Sequence, residues 1–143
     1  MINVQRTFTV EKPVDVVVNY LKDFSHAEQW DPGTKSCVQE SAGPVEIGTT
    51  LHNVSVVKGK ETELSYRLAE LKPGFIKFVG ENKTATSTDN MTITPNGTGA
   101  SITYHAQIEF HGLAKLATPF LQSEFEGLGD ETAQKITTAI NAL

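Results

Sequence analysis

Five polar side chains fall where an otherwise apolar wall would present them together: His52, Tyr66, Ser87, Asp89 and Tyr104. Each lies in a stretch that alternates apolar and polar residues, the period-2 pattern of a half-buried strand, and each shares the parity of the apolar set. An aspartate among Ile76, Met91 and Tyr104 loses solvation, so its carboxyl tends to keep its proton, and a nearby phenol can share it. Such a pair can act as acid and base on a carbonyl compound, enolising or dehydrating it. His52, diagonal to Tyr66 across a strand pair and titratable near neutrality, is a second candidate base. The candidate catalytic groups are therefore Asp89, His52 and Tyr104. A plainer reading leaves Asp89 in water near a sheet edge, His52 on a rim with one partner, and the tyrosines as wall.

The elements that must position these groups follow in order. Ile2, Val4, Phe8 and Val10 share one parity and predict a first strand, with Arg6 as the exception. Pro13 opens a helix carrying Val14, Val17, Val18 and Leu21 at helical spacing. Asp23 or Ser25 can cap a second short helix through Trp30, which Asp31-Pro32-Gly33 breaks. Strands are expected over about 35–40, 49–57, 62–71, 75–81, 84–94 and 98–111. A two-residue turn at Asn96-Gly97 pairs Met91 with Ile102 and Asp89 with Tyr104, and one at Asn82-Lys83 puts Phe78 opposite Ser87. A three-residue loop at Gly59-Lys60-Glu61 pairs Val54 with Tyr66 and His52 with Leu68. Pro73-Gly74 pairs Leu71 with Ile76, which requires a bulge near Ala69-Glu70. Ile102, Tyr104, Ala106, Ile108 and Phe110 form the inward set of the last strand. Thr118 as cap and Pro119 as first residue open a helix to Leu143, with Phe120, Leu121, Phe125, Leu128, Ile136, Ala139 and Ile140 as its apolar stripe. Gly127 and Gly129 weaken its middle by roughly 1 kcal/mol each relative to alanine.

A curved sheet with one apolar face and a single helix as lid leaves a hollow between them, a container for an apolar small molecule. At 143 residues the chain reads as one domain, 1–143, large enough to need no covalent staple. Cys37 is the only cysteine, so no internal disulfide is possible, and it reads as a small hydrophobe rather than a nucleophile. A net charge of −5 with scattered basic residues argues against a nucleic-acid face. No apolar run reaches the roughly 18 residues of a membrane span, so no stable membrane insertion is expected. Met1 to Arg6 lacks a signal-peptide pattern, which gives a cytoplasmic expectation. His105, Glu109 and His111 share a parity, but same-face strand residues lie roughly 7 Å apart per two positions, too far to gather one ion. They are expected on the solvated face. His26 and Trp30 can line the groove mouth, with Trp30 equally a packing anchor. No cofactor is expected, since no phosphate loop, nucleophile elbow or zinc-protease pattern is present.

This order of elements resembles the polyketide cyclase/dehydrase branch of the START-like helix-grip superfamily, also called SRPBCC, over essentially the whole chain. Trp30-Asp31-Pro32 near the second helix and the Gly112–Leu121 run into the last one carry the resemblance. It implies an α+β helix-grip fold: a curved antiparallel sheet of about seven strands around a long C-terminal helix, with two short helices after the first strand. Proteins of this kind hold sterols, polyketides, quinones or other lipid-like molecules, and a minority catalyse cyclisation or dehydration. The reading taken here is a carrier, sensor or protector of such a guest, as monomer or homodimer. Trp30, Tyr66, Phe78, Met91, Ile102, Tyr104, Phe120, Leu121 and Phe125 would form the wall, and His52, Ser87 and Asp89 would orient the guest. A polyketide cyclase or dehydratase using Asp89 or His52 is the alternative, and a protein-interaction module with a vestigial pocket is a third.

Overall fold

The computed structural model describes residues 1–143. Strand β1 (Ile2–Val10) leads into α1 (Val14–Leu21), a 3-10 turn (Phe24–His26) and α2 (Ala27–Trp30). Strands β2 (Thr34–Gln39), β3 (Thr50–Val57), β4 (Lys60–Lys72), β5 (Phe75–Glu81), β6 (Ala85–Asn96) and β7 (Gly99–Phe110) follow. A 3-10 segment (Gly112–Ala117) then enters α3 (Thr118–Asn141). All strand pairs are antiparallel, in the order β1-β7-β6-β5-β4-β3-β2. This is the α+β helix-grip architecture, a curved sheet closed on one face by α3. No helix is long and apolar enough to cross a membrane.

Local chemistry explains the element ends. Asp23 accepts a hydrogen bond from the Ser25 N–H at 3.0 Å and so caps the 3-10 turn. Asp31 does the same for the backbone beyond α2, accepting from the Gly33 N–H at 2.9 Å and the Thr34 hydroxyl at 2.9 Å. Thr118 does not cap α3: it lies inside the first turn, Ala117 stands at the cap position, and no side chain bonds there.

Turn chemistry sets the register, and here three expectations are corrected. The last hairpin turns on Gly97-Thr98, with Gly97 at φ 60, so Ile93 pairs with Ile102 and Met91 with Tyr104. Asp89 lies opposite Ala106 rather than Tyr104. At the preceding turn Asn82 stands just before the bend, its side-chain oxygen accepting from the Thr84 and Ala85 N–H groups, and Phe78 pairs with Asp89. Both shifts are of two residues, so every side chain keeps its face. The β3–β4 hairpin differs by an odd number. Lys58 (φ 51) and Gly59 (φ 76) both adopt the left-handed conformation of a two-residue type I′ turn, so Leu51 pairs with Tyr66 and His52 with Ser65. An odd shift reverses the faces of β3 and sends His52 outward. The bulge between Leu68 and Glu70 falls where the Pro73-Gly74 turn required it.

The core fills one end of the sheet-helix sandwich. Leu21, Phe24 and Trp30 from the helical corner pack with Phe78, Met91, Ile102 and, from α3, Ile136 and Ile140. Burying each large apolar side chain contributes roughly 1.5–3 kcal/mol. Helix α3 is tied across β1 by Arg6, whose guanidinium meets Asp130 at 2.7 Å and Glu126 at 3.0 Å, and by Gln122 donating to the Asn3 carbonyl. Gly129 permits this approach, since a Cβ there would stand 2.5 Å from Val4 Cγ1.

Candidate functional site

At the other end of the sandwich α3 stays tied to the edge strand β1 but stands away from the rest of the sheet, leaving a cavity of about 710 Å³. This lies within the size range of small-molecule sites. Its helix side is a stripe of Leu121, Phe125, Leu128 and Thr132, spaced so that successive turns present them to one face. Its sheet side is built from the inward parity of β7 and β1, chiefly Tyr104, Ala106, Ile108, Ile2 and Val4, with Leu64 and Tyr66 from β4. The β3–β4 turn, with Lys58 and Lys60, and the 3-10 segment before α3 border it as well. Phe120 also lines it but remains 75% exposed.

The buried polar groups of β4, β6 and β7 meet on one part of the cavity wall, its floor. Tyr104 Oη donates to Asp89 Oδ1 at 2.5 Å, a buried bond between β7 and β6. Asp89 is only 4% exposed, and burial pushes its carboxyl up to about 7, against the pull of the Tyr104 bond. The charge of Asp31, also on the cavity wall, pushes in the same direction. Burial likewise raises the Asp31 carboxyl, while the Gly33 N–H, the Thr34 hydroxyl and the charge of Lys135 oppose the rise. The phenols of Tyr66 and Tyr104 are held well above their ordinary range, first by burial and then by the Asp89 charge. Both remain neutral donors at any ordinary pH.

Tyr66 reaches this floor because of a missing side chain. It pairs across β4–β5 with Gly80, and a Cβ on Gly80 would stand 2.5 Å from the Tyr66 ring. The ring therefore lies flat over β5, towards Ser87, which is the β6 partner of Gly80. Behind it Phe24 packs at 4.6 Å, and Trp30 sets its edge against Tyr104 at 6.0 Å.

Of the expected site residues, Tyr66, Ser87, Asp89, Tyr104, Phe120, Leu121 and Phe125 line the cavity. Four others do not. Trp30, Phe78, Met91 and Ile102 share the inward parity or the helical corner, but they form the solid core beneath the floor. Parity reports the face of a sheet and not the position along it, so it cannot separate core from cavity. His52 lies on the outer face, its Nε2 3.1 Å from Glu63 Oε1. His26 is absorbed by Tyr20, stacked on its ring at 4.4 Å with Nδ1 2.6 Å from its carbonyl oxygen. Asp31, which in the sequence marks the end of the second helix and part of the family resemblance, also supplies the second carboxyl of the site. A carboxylate directly after the packed Trp30 was the signal for it. Cys37 is buried and its thiol is pushed up to about 12 by burial, so it is no nucleophile. No group of three or more His, Cys, Asp or Glu side chains is placed to hold a metal ion.

A sheet gripping a terminal helix over an apolar cavity with a small polar floor defines the START-like helix-grip class. Within that class, the sequence matches the family described as polyketide cyclase/dehydrase and lipid transport over residues 1–140, and the chain belongs to it. No curated protein matches the sequence. Among solved structures, it is similar to a START superfamily protein from Mycobacterium smegmatis, with TM-score 0.80 and 13% identity over 98% of this chain and 97% of that one. The Zhui aromatase/cyclase from Streptomyces sp. R1128 superposes with TM-score 0.79 and 14% identity, covering 96% and 92%. A STAR-related lipid transfer protein fragment from Xanthomonas axonopodis gives TM-score 0.74 and 14% identity, covering 95% and 84%. At these identities the likeness is one of fold.

Proposed function

We propose that this protein, a single domain, binds an apolar small molecule of polyketide, sterol, quinone or lipid-like kind between the sheet and α3. It serves as carrier, sensor or protector. The observation that carries this reading is the cavity itself: about 710 Å³, walled mainly by apolar side chains, with the buried Asp89–Tyr104 pair set among them. Apolar burial supplies affinity in such a site, and a few directed hydrogen bonds supply orientation. Membership of a family described in terms of polyketide cyclases and lipid transport supports the same guest class.

Titration with an environment-sensitive apolar dye such as 1-anilinonaphthalene-8-sulfonate tests the reading. The expected result is saturable binding at one site, reversed by a sterol, a naphthoquinone or a tetracyclic polyketide mimic. Absence of saturable binding would leave the fold as an interaction module with an unused hollow.

One observation favours a second reading as a cyclase or dehydratase. The Asp89 carboxyl, held near 7 and bonded to the Tyr104 phenol, is matched to proton transfer at neutral pH. On this reading Asp89 removes a proton alpha to a carbonyl, and the Tyr66 hydroxyl steadies the developing oxyanion. Asp89→Asn would then abolish turnover of a poly-β-carbonyl substrate, and an unchanged rate would eliminate it.

A further inference from the structure

Resting on the cavity reading above, we propose that the guest carries a protonated amine at its buried end, held by the Asp89 carboxylate on the floor that Tyr66 and Tyr104 border.

The argument starts from an unfilled valence. Asp89 is more than nine-tenths buried, and its one hydrogen bond, from Tyr104, goes to Oδ1. Oδ2 makes no hydrogen bond, yet it is not among the sealed, unpartnered polar atoms, because it opens onto the cavity that Asp89 lines. An open carboxylate oxygen on an apolar floor is a site for a donor from the guest.

The sign of the field says which donor. Two carboxyl groups, Asp31 and Asp89, line this cavity, and although Lys58 and Lys60 line it too, no basic side chain is among the charges that act on Asp89. Arg6 is committed to Glu126 and Asp130 across β1, and Lys58 and Lys60 are exposed residues of the β3–β4 turn. Asp31 has both oxygens occupied, by the Gly33 N–H and the Thr34 hydroxyl, so it acts as a fixed acidic neighbour while Asp89 offers the open position. Such a floor repels a carboxylate or phosphate and pairs with an ammonium group. A guest ammonium donating to Oδ2, with Tyr104 donating to Oδ1, would satisfy both oxygens of the buried acid.

The titratable groups facing Asp89 are Tyr104 on β7, Tyr66 on β4 and Asp31 after α2; Lys135 on α3 and Cys37 on β2 act on it only through Asp31 and Tyr66. Since the empty site holds Asp89 protonated below about 7, capture of an ammonium guest must expel that proton.

Fluorescence titration with three probes on one ring system tests the proposal: 9-(aminomethyl)anthracene, 9-anthracenemethanol and 9-anthracenecarboxylic acid. At pH 7.5 the amine should bind at least tenfold more tightly than the alcohol, and the acid should bind weakest. From pH 6.5 to 5.5 amine affinity should fall about tenfold while alcohol affinity stays level. Asp89→Asn, which keeps the side-chain shape, should bring the amine-to-alcohol ratio to about 1. Should that variant fail to fold, Tyr104→Phe, which removes the bond stabilising the carboxylate, should shift the pH profile of amine binding upward. Binding of the alcohol with no advantage for the amine, or an advantage that survives Asp89→Asn, overturns the proposal and leaves the cavity reading standing. Failure of all three probes together with the dye overturns both.

Discussion

Replacing Asp89 with asparagine should make the protein more stable at neutral pH, and the size of the effect follows from the site. The Asp89 carboxyl rises from 3.8 to about 7, chiefly through burial. A raised acid favours the folded state fully only while both states hold the proton; once the unfolded chain has shed it and the folded state has not, each further rise in pH favours unfolding. That advantage is complete below about pH 4 and disappears as pH climbs to about 7. Roughly three pH units at about 1.4 kcal/mol each come to roughly 4 kcal/mol lost by the wild type across this window. Asparagine does not titrate, and its side-chain oxygen can still accept from Tyr104 Oη. The stability of Asp89→Asn minus that of the wild type should therefore grow by roughly 2 kcal/mol between pH 5 and pH 7 and level off by about pH 8. Urea unfolding followed through the single, fully buried Trp30 at pH 5, 6, 7 and 8 measures this difference, and taking the difference cancels most other carboxylates. Asp31→Asn should move the plateau to lower pH, because the Asp31 charge is among the causes of the rise. A difference flat to within about 0.5 kcal/mol over the whole range would refute the assignment of Asp89 as a desolvated acid.

Gly80→Ala should destabilise the fold by roughly 1–3 kcal/mol, because the new Cβ stands 2.5 Å from the Tyr66 ring and the ring is walled in by Phe24. In a Tyr66→Ala background that penalty should vanish, as denaturant melts of the four proteins in the cycle would show. Ala106→Phe, on the cavity face of β7, should weaken apolar dye binding at least tenfold without lowering the melting temperature, since it fills empty space rather than packed core. His52→Ala should leave dye affinity within about twofold and stability within about 0.5 kcal/mol, since its pairing with Glu63 is an exposed one. A large loss of affinity there would mean that β3 presents its other face to the guest.

What the sequence made legible was face, and what it left obscure was position along the face. The inward set of β7, the Leu68–Glu70 bulge and the long last helix follow from period-2 alternation, a Pro-Gly turn and helical spacing. Asp89 and Ser87 keep the face that alternation assigns them although their pairing partners differ, because the register of both hairpins differs by an even number of residues. His52 takes the opposite face through an odd register difference that depends on Lys58 adopting φ 51, a conformation a lysine seldom takes and its side chain does not announce. Phe78, Met91 and Ile102 share a face with the cavity floor, and only the depth to which Leu21, Phe24 and Trp30 invade the sandwich decides that they are core. That depth is a tertiary quantity, the sum of several packed volumes, and no local pattern encodes it.

The same packing explains why a costly acid can persist on the floor. Phe24 and Trp30 fill the closed end of the sandwich and stop against the rings of Tyr66 and Tyr104, so the tyrosines form the boundary between solid core and cavity. Asp89 sits on that boundary. One of its oxygens is satisfied by a phenol anchored in the core, and the other faces the space where a guest would lie. Deeper in the core the carboxyl would be left unpaired, and at the rim water would solvate it and remove its selectivity. At the boundary the fold bears a penalty of roughly 4 kcal/mol at neutral pH that a complementary guest can relieve. Ligand-linked stabilisation should accordingly be larger at pH 7.5 than at pH 5 for a cationic guest, and equal at both for a neutral one. Thermal melts with the anthracene amine and alcohol at the two pH values would decide it, and equal shifts for both probes would show that Asp89 takes no part in holding the guest.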